Sequence, residues 1–213
     1  MRLIVAIVTL FSAVSLTGCS AKYDGDMPAV PLPADYAVQI DEDRAVRDDY
    51  FQRDPNSPLL ASARDQFAGL DYFDVNEALY FVGDAHFYIE PEQLVMTTTA
   101  GAQREALRVG WVGFKVAGER YRLQVYQLLD GEGGFFLPFQ DATTGEETYP
   151  AGRYLNLIAQ SPRGPYVLDF NRSYNPSCAY GEPERFACPV TPAENRLEIA
   201  IRAGERGAEQ AES

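Results

Sequence analysis

The chain has 213 residues, 46% of them hydrophobic, and a formal net charge of −13. This length fits one domain beyond a targeting segment, with enough apolar residues to bury a core. Its excess of carboxylates repels nucleic acid and anionic lipid, so the overall charge argues against both as partners.

The amino terminus resembles a bacterial lipoprotein signal peptide. An apolar run from Leu3 to Ser15 follows Arg2 and leads to Cys19 in the sequence LTGC. The run is shorter than the roughly twenty residues that a membrane-spanning helix needs. We therefore predict that residues 1–18 are removed and that Cys19 receives diacylglycerol. The alternatives are an ordinary secretory signal with a chance cysteine, or an uncleaved anchor.

A lipid on Cys19 would place the domain in the cell envelope, attached to the membrane through acyl chains. Ser20 follows the cysteine in place of an aspartate, which resembles the pattern sorted to the outer membrane, facing the periplasm, in Gram-negative bacteria. Residues 19–37 contain Pro28, Pro31 and Pro33 and predict an extended tether.

Two helices are predicted at the start of the domain. The first spans residues 38–54, where the spacing of Val46, Tyr50 and Phe51 indicates one buried face. A second, short helix follows, with Ser57 as its N-cap and Gly69 at its end.

The chain after Gly69 is predicted to form β-structure. Residues 120–129 alternate between apolar and polar, as in a strand with one buried face. Residues 107–116 change phase at Trp111 and Val112, which indicates either a β-bulge or a strand buried on both faces. The other predicted strands are 79–82, 87–89, 94–99, 135–139, 154–159, 166–170 and 197–201.

Many short strands separated by glycine and proline turns predict a mainly β fold, an antiparallel sandwich or a barrel, with one or two amino-terminal helices. A single domain is predicted over residues 38–204, followed by a disordered, polar tail over 205–213.

Several segments together resemble one known family. They are DATTGEETY at 141–149, GRYL at 152–155, LDFNRSYNP at 168–176, ENRL at 194–197 and IRAGE at 201–205, with RDDYF at 47–51, PNSPL at 55–59 and GLDYF at 69–73 upstream. This combination is similar to the domain-of-unknown-function family 1684 over nearly all of the mature chain. The resemblance implies a predominantly β fold and supplies no activity. The chain departs from the family at Pro150-Ala151, where the family is glycine-rich, and in a longer spacing between Cys178 and Cys188.

If Cys19 is lipidated, Cys178 and Cys188 remain as an even pair in an oxidising compartment, and we predict a disulfide between them. Zinc usually needs four ligands, and His86 is the sole histidine, so no metal is predicted. A nucleophilic cysteine would need His86 beside it, and this alternative stays open. No phosphate-binding loop, dinucleotide fingerprint or serine-hydrolase elbow is present, so no cofactor is predicted.

Polar residues are concentrated on either side of the cysteine pair. Asp169 and Asn171 share one face of the strand 166–170, which either faces solvent or lines a cleft. In the second case we predict a single polar site formed by Arg153, Asp169, Asn171, Tyr174, Asn175, Glu194 and Asn195.

Two functions are compatible with these residues. A non-enzymatic domain that binds a ligand or an envelope partner is favoured, because no complete catalytic set is visible. The alternative is an envelope enzyme, possibly a hydrolase, in which Asp169 and Glu194 perform acid–base chemistry beside arginine and tyrosine side chains.

The lipid anchor predicts that replacing Cys19 with alanine moves the protein from the membrane to the soluble fraction. Two acyl chains give stable attachment, whereas one gives only marginal attachment. Cell fractionation and mass spectrometry of the wild-type chain measure this directly. A wild-type protein that is soluble, or that carries no acyl group, would contradict the prediction.

Overall fold

The computed structural model describes residues 25–131, 134–161, 164–181 and 185–207. The predicted signal peptide, Cys19 and the last six residues of the predicted tail lie outside them. Within the described residues the strands are β1 (Asp26–Met27), β2 (Tyr80–Gly83), β3 (His86–Thr97), β4 (Gln103–Val116), β5 (Glu119–Leu128), β6 (Phe135–Phe139), β7 (Arg153–Ala159) and β8 (Tyr166–Asp169). The α-helices are α1 (Tyr36–Arg53) and α2 (Ala61–Arg64), with short 3-10 turns at Glu77–Leu79, Phe170–Arg172, Ser177–Ala179 and Ala193–Asn195.

The strands form one nearly closed, barrel-like sheet, which confirms the predicted mainly β fold. The strand order is β1-β4-β5-β6-β7-β8-β2, and β3 pairs with β4 beside β1. The pairs are antiparallel except for β1 with β4. Among the described residues, no helix has the length and apolar character needed to cross a membrane.

Residues 26–30, here called the closing segment, join the two ends of this sheet. Met27 pairs with Phe114 of β4, and two residues later Ala29 forms an antiparallel bridge with Phe81 of β2. The N–H of Val30 donates to the carbonyl of Tyr80 at 3.3 Å. The closing segment therefore covers strand edges that would otherwise be exposed.

The inside of the barrel is filled by aromatic rings from different strands. The ring of Phe114 lies 5.2 Å from that of Phe81 and 5.2 Å from that of Phe170, and Phe139 lies 5.4 Å from Phe170. All four side chains are 0–1% exposed. Such tilted and edge-to-face contacts stabilise the core beyond the area they bury.

The structure corrects the predicted tether over residues 19–37. Residues 19–24 lie outside the described chain, but Met27 is 1% exposed within the core and helix α1 begins at Tyr36. The physical reason is that the edge of β4 needs a partner and the barrel has room for the Met27 side chain. Any tether therefore ends before Gly25.

The predicted helices also differ from those in the structure. Val46, predicted to be buried, is 71% exposed, whereas Ile40 and Phe51 are each 1% exposed. The second helix is reduced to the four residues of α2. Ser57 instead donates from its hydroxyl to the carbonyl of Phe51, at the end of α1. Phe51 is buried as predicted, but the rest of the buried face of α1 was missed because it includes two arginines, described below.

The predicted β-bulge exists, but it lies between Arg108 and Gly110, slightly before the predicted position. The two short strands predicted at 87–89 and 94–99 are parts of one strand, β3. The last predicted strand, 197–201, does not form. The segment instead makes a bridge between Gln140 and Arg196 and backbone hydrogen bonds from Leu197 to Gln140 and from Ala142 to Ile199. Buried side chains bind its backbone at Ile201.

Replacement of Met27 by alanine tests the closing segment. We expect the free energy of unfolding to fall by about 2–5 kcal/mol, because the substitution removes buried methylene groups and leaves a cavity where the sheet closes. Urea denaturation measures the loss. Val46→Ala on the exposed side of α1 is the control and should change stability by no more than about 0.5 kcal/mol. Equal effects of the two substitutions would contradict the role of the segment.

Candidate functional site

A cleft of 230 Å³ lies between α1 and the barrel near β7 and β8. It is smaller than the roughly 300–1,000 Å³ of pockets for drug-sized ligands, so its size suits a small molecule. Its walls are formed by Ile40, Asp43, Arg44, Arg47, Tyr72, Leu155, Asn156, Ile158, Asn171, Arg172, Ser173, Tyr174 and Glu205.

Helix α1 supplies one wall of the cleft. Tyr36, Ile40, Arg44, Arg47 and Phe51 recur at intervals of three or four residues, so they lie on one face of the helix. The apolar members of this face anchor the helix on the barrel. The two arginines between them bring guanidinium groups to the cleft.

Glu205 is the most deeply buried charged residue of the cleft, with an exposure of 0%. Its carboxylate accepts from the Nε of Arg47, the N–H of Asn175 at 2.7 Å and the hydroxyl of Tyr180 at 2.8 Å. A buried carboxylate needs a counter-ion and donors of this kind. Burial and the nearby Glu205 charge raise the pKa of Tyr180, so its phenol stays protonated and donates.

Arg153 positions Glu205 by binding its backbone carbonyl. Its guanidinium is 1% exposed and donates to the carboxylate of Asp141 at 2.9 Å. It also donates to the carbonyls of Ile201 at 2.6 Å, Ala203 at 2.5 Å and Glu205 at 3.1 Å. One side chain of β7 thereby fixes the backbone of residues 201–205.

Asp169 organises the other end of the cleft. Its carboxylate accepts from the hydroxyl of Tyr36 at 2.7 and 2.8 Å, from the N–H of Asn171 at 3.0 Å and from Nε of Arg172 at 3.1 Å. Arg172 also forms an ion pair with Asp43 of α1. Burial raises the pKa of Asp169, while the hydrogen bonds from Tyr36 and Asn171 act in the opposite direction.

Two polar atoms of the cleft residues are buried without a hydrogen-bond partner among the described residues: Nε of Arg44 and the hydroxyl of Tyr72. The guanidinium of Arg44 lies 4.4 Å from the centre of the Tyr72 ring, and its NH2 donates to the carbonyl of Phe73 at 3.0 Å. Leaving a buried polar group unpaired costs about 1–3 kcal/mol. The pair is therefore suited to a bound molecule that carries an acceptor.

The structure brings five of the seven predicted site residues into this region and places two elsewhere. Asn171 and Tyr174 line the cleft, and Arg153, Asp169 and Asn175 support it from behind.

The remaining two lie beside β5 and β6. Glu194 accepts from the hydroxyl of Tyr126 at 2.8 Å and from Arg108 at 3.2 Å. Asn195 donates to the carbonyls of Gln124 at 2.9 Å and Pro138 at 2.8 Å, so it connects the two strands.

Most of the cleft residues were missed from the sequence, among them Arg44, Arg47, Tyr72 and Glu205. The predicted tail began at 205, but the N–H of Glu205 donates to Ser173 and that of Gly207 donates to Glu147, both at 2.8 Å. The described chain is therefore packed on the domain to Gly207, and only residues 208–213 of the predicted tail lie outside it. The helical spacing of Ile40, Arg44 and Arg47 could have shown from the sequence that the two arginines share the buried face of α1.

Cys178 and Cys188 are both buried free thiols in the structure. The N–H of Cys178 donates to Sγ of Cys188 at 3.2 Å, so the side chains are neighbours. Hydrogen bonding from Cys188 lowers the pKa of Cys178 to about 6. A disulfide between them stays a prediction. His86 stacks on Trp111, with ring centroids 4.0 Å apart, and its Nε2 lies 3.1 Å from the carbonyl of Gly25.

Comparisons with known proteins identify a family and show a similarity to a solved structure. The family model described as a protein of unknown function (DUF1684) matches residues 65–206. The chain is similar to an uncharacterized protein of Haloarcula marismortui, solved by solution NMR, with 32% identity and a TM-score of 0.64. The similarity covers 84% of this chain and 97% of that one. No curated protein matches the chain.

Tyr36→Phe tests the contact between α1 and the barrel. At neutral pH we expect a loss of about 1–3 kcal/mol, because the buried Asp169 carboxylate loses a donor. The loss should shrink as the pH falls through the pKa of Asp169, since a protonated carboxyl depends less on that donor. Burial raises this pKa, so the change begins above the usual value of about 3.9.

Urea unfolding at a series of pH values measures the effect. Tyr50→Phe is the control, because its hydroxyl donates to the exposed carbonyl of Asn56. A loss for Tyr36→Phe that is independent of pH would contradict the assigned hydrogen bond.

Proposed function

The chain belongs to the DUF1684 family of proteins of unknown function, and we propose that this member binds a small anionic ligand in the cleft beneath α1. The observation that carries the proposal is the pair of buried, unpartnered polar atoms on Arg44 and Tyr72. Both residues line the cleft, and both atoms can donate to an oxygen of the ligand.

The charges around the cleft support an anionic ligand. Arg44, Arg47 and Arg172 line the cleft, where Arg47 pairs with Glu205 and Arg172 pairs with Asp43 and Asp169. Arg44 has no carboxylate partner among the described residues, so its charge is available to an anion. Guanidinium groups bind carboxylates and phosphates with paired, charge-assisted hydrogen bonds.

The apolar residues that line the cleft favour a ligand with an apolar part. Ile40 and Leu155 are buried apolar residues, and Ile158 is 48% exposed at the surface. A ligand with an anionic head and a short apolar body therefore complements the cleft in chemistry and in size. Small carboxylic acids are the simplest molecules of this class.

We place this activity in the cell envelope, with the domain attached to a membrane by a lipid on Cys19. This part of the proposal is supported by the amino-terminal sequence alone. The membrane would then be the partner of the anchor, and the ligand would be a solute of the surrounding compartment.

The enzymatic alternative has less support. A hydrolase using Asp169 and Glu194 requires the two carboxylates in one site. In the described residues Asp169 pairs with Tyr36, Asn171 and Arg172, whereas Glu194 pairs with Tyr126 and Arg108. Within the described part of the chain, the two acids share no hydrogen-bond partner.

Binding of acetate, butyrate, hexanoate and inorganic phosphate to the purified protein tests the proposal. We expect at least one probe to raise the unfolding temperature and to give a saturable calorimetric isotherm. Arg44→Gln and Tyr72→Phe should each weaken binding about tenfold or more, because each removes a buried donor to a charged group.

Arg53→Gln provides the matched control, since Arg53 lies on the same helix with a side chain that is 72% exposed. It should leave the affinity unchanged. Failure of all four probes to bind, or equal weakening by Arg53→Gln, would contradict the proposed site.

A further inference from the structure

Two cysteines lie side by side, next to the segment that supports the cleft. The N–H of Cys178 donates to Sγ of Cys188 at 3.2 Å, and the thiol of Cys188 forms a hydrogen bond with that of Cys178. Both residues are buried. A disulfide requires two cysteines whose side chains meet in this way. The pair is therefore placed for oxidation without a large movement of the backbone.

The surroundings of the pair stabilise its reduced form. The hydroxyl of Tyr149 donates to Sγ of Cys178 at 3.9 Å. Hydrogen bonds from Cys188 and Tyr149 lower the pKa of Cys178 to about 6, while the bond between the two sulfurs raises the pKa of Cys188. The pair therefore carries one thiolate and one thiol at neutral pH. Thiolates are the nucleophiles of disulfide exchange, and a stabilised reduced pair makes the disulfide easier to reduce.

The backbone around the pair is held without a covalent link. The N–H of Thr99 donates to the carbonyl of Cys188 at 2.9 Å, and the N–H of Val190 donates to that of Thr97 at 2.8 Å. These bonds attach the segment around Cys188 to the end of β3. Cys178 lies at the centre of the 3-10 turn Ser177–Ala179. The described structure is thus folded around two free thiols, so the fold accommodates the reduced pair.

Cys188 can be reached from a second cleft, which has a volume of 600 Å³. This cleft lies between residues 102–104, at the start of β4, and residues 176–177. Its volume falls within the range of pockets that hold small organic molecules. A small organic disulfide can therefore approach the pair from this side.

The turn that carries Cys178 also contacts the charged residues of the cleft beneath α1. The N–H of Asn175, three residues before Cys178, donates to the carboxylate of Glu205 at 2.7 Å. The hydroxyl of Tyr180, two residues after Cys178, donates to the same carboxylate at 2.8 Å. The carbonyl of Asn175 accepts from the guanidinium of Arg47 at 3.2 Å. A movement of this turn therefore changes the contacts of two charged residues in the cleft wall.

We propose that Cys178 and Cys188 form a reversible redox switch that controls the affinity of the cleft beneath α1. The thiolate of one cysteine attacks a small organic disulfide, so that a bond to one sulfur of the reagent forms and the reagent's own S–S bond breaks. The other cysteine then attacks this mixed disulfide, forms the bond between Cys178 and Cys188 and displaces the second half of the reagent. The cysteines lose two electrons to the reagent, and their two protons end on the two thiols released.

The disulfide fixes the turn at its centre, because it joins Cys178 to a segment that is attached to β3. Asn175 and Tyr180 then keep their contacts with Glu205 and Arg47. A site that is already ordered loses less conformational entropy when it binds, so the oxidised protein binds an anion more tightly. This control of affinity rests on the proposed anion binding, whereas the redox chemistry of the pair does not.

Equilibration of the purified full chain with mixtures of reduced and oxidised glutathione tests the redox chemistry. The peptides that contain Cys178 and Cys188 are then alkylated and quantified by mass spectrometry. We expect both thiols to disappear together as oxidised glutathione replaces reduced glutathione. Thiols that stay free in every mixture, a disulfide that no mixture reduces, or a lasting mixed disulfide with glutathione would each overturn the switch.

Hydrogen exchange of the Asn175 amide tests the coupling without a ligand, because this N–H donates to Glu205. We expect exchange about tenfold slower in the oxidised protein. The amide of Gln39, which donates to Asp35 at the other end of α1, is the internal control. Equal slowing of both amides would indicate general stabilisation and contradict the coupling. In a protein with Cys178→Ser and Cys188→Ser, glutathione should change neither rate.

Calorimetry with hexanoate and inorganic phosphate measures the effect on affinity. We expect the oxidised protein to bind at least one of these probes about threefold more tightly than the reduced protein. Tyr180→Phe, which removes a contact between the turn and Glu205, should reduce this difference, whereas Tyr50→Phe should preserve it. Equal affinities of the two forms would overturn the switch. If neither form binds a probe, the proposed function fails, and the exchange of Asn175 still decides whether the pair is coupled to Glu205.

Discussion

The buried guanidinium of Arg153 is the interaction on which the carboxyl-terminal half of the fold depends. It binds three backbone carbonyls between Ile201 and Glu205 and one carboxylate, that of Asp141. Asp141 in turn accepts from the N–H of Ile201 at 2.9 Å. These side-chain hydrogen bonds add to the backbone hydrogen bonds that Gly204 and Glu205 make with Phe73 and Ser173. A buried charge of this kind is tolerated only when its hydrogen-bonding groups have partners. Because Arg153 finds these partners on residues 201–205, the backbone of that segment is fixed in one conformation.

The cleft follows from this arrangement. Because Arg153 fixes the backbone of Glu205, the carboxylate of Glu205 is in place to bind Arg47 of α1. Asp169 holds the first turn of the same helix through Tyr36. Two buried acids therefore dock one helix, and the space left between their contacts is the cleft.

Features that depend on residues close together in sequence were predicted well, whereas features that depend on residues far apart in sequence were not. Strands such as β6 were predicted to the residue, because alternation and glycine turns are local signals. The bulge near Gly110 was predicted within a few residues for the same reason. The closing segment and Glu205 were assigned to a tether and a tail, because short polar or proline-containing segments carry no periodic pattern. Their burial depends on partners far away in sequence, and no local pattern reports those partners. Arg44 and Arg47 were overlooked because arginine on a helix is usually a solvated residue. Here acceptors far away in sequence, the carbonyl of Phe73 and the carboxylate of Glu205, bind their guanidinium groups at the cleft.

The closing segment also sets where the polypeptide can be cut. Proteolysis before Gly25 would leave the closing segment paired with β4 and β2, so the domain would keep both sheet edges covered. Cleavage after Val30 would instead detach Met27 from the core and remove the bridge between Ala29 and Phe81. The boundary between a tolerated cut and a destructive cut is thus only a few residues wide, and it coincides with the point where the chain enters the barrel.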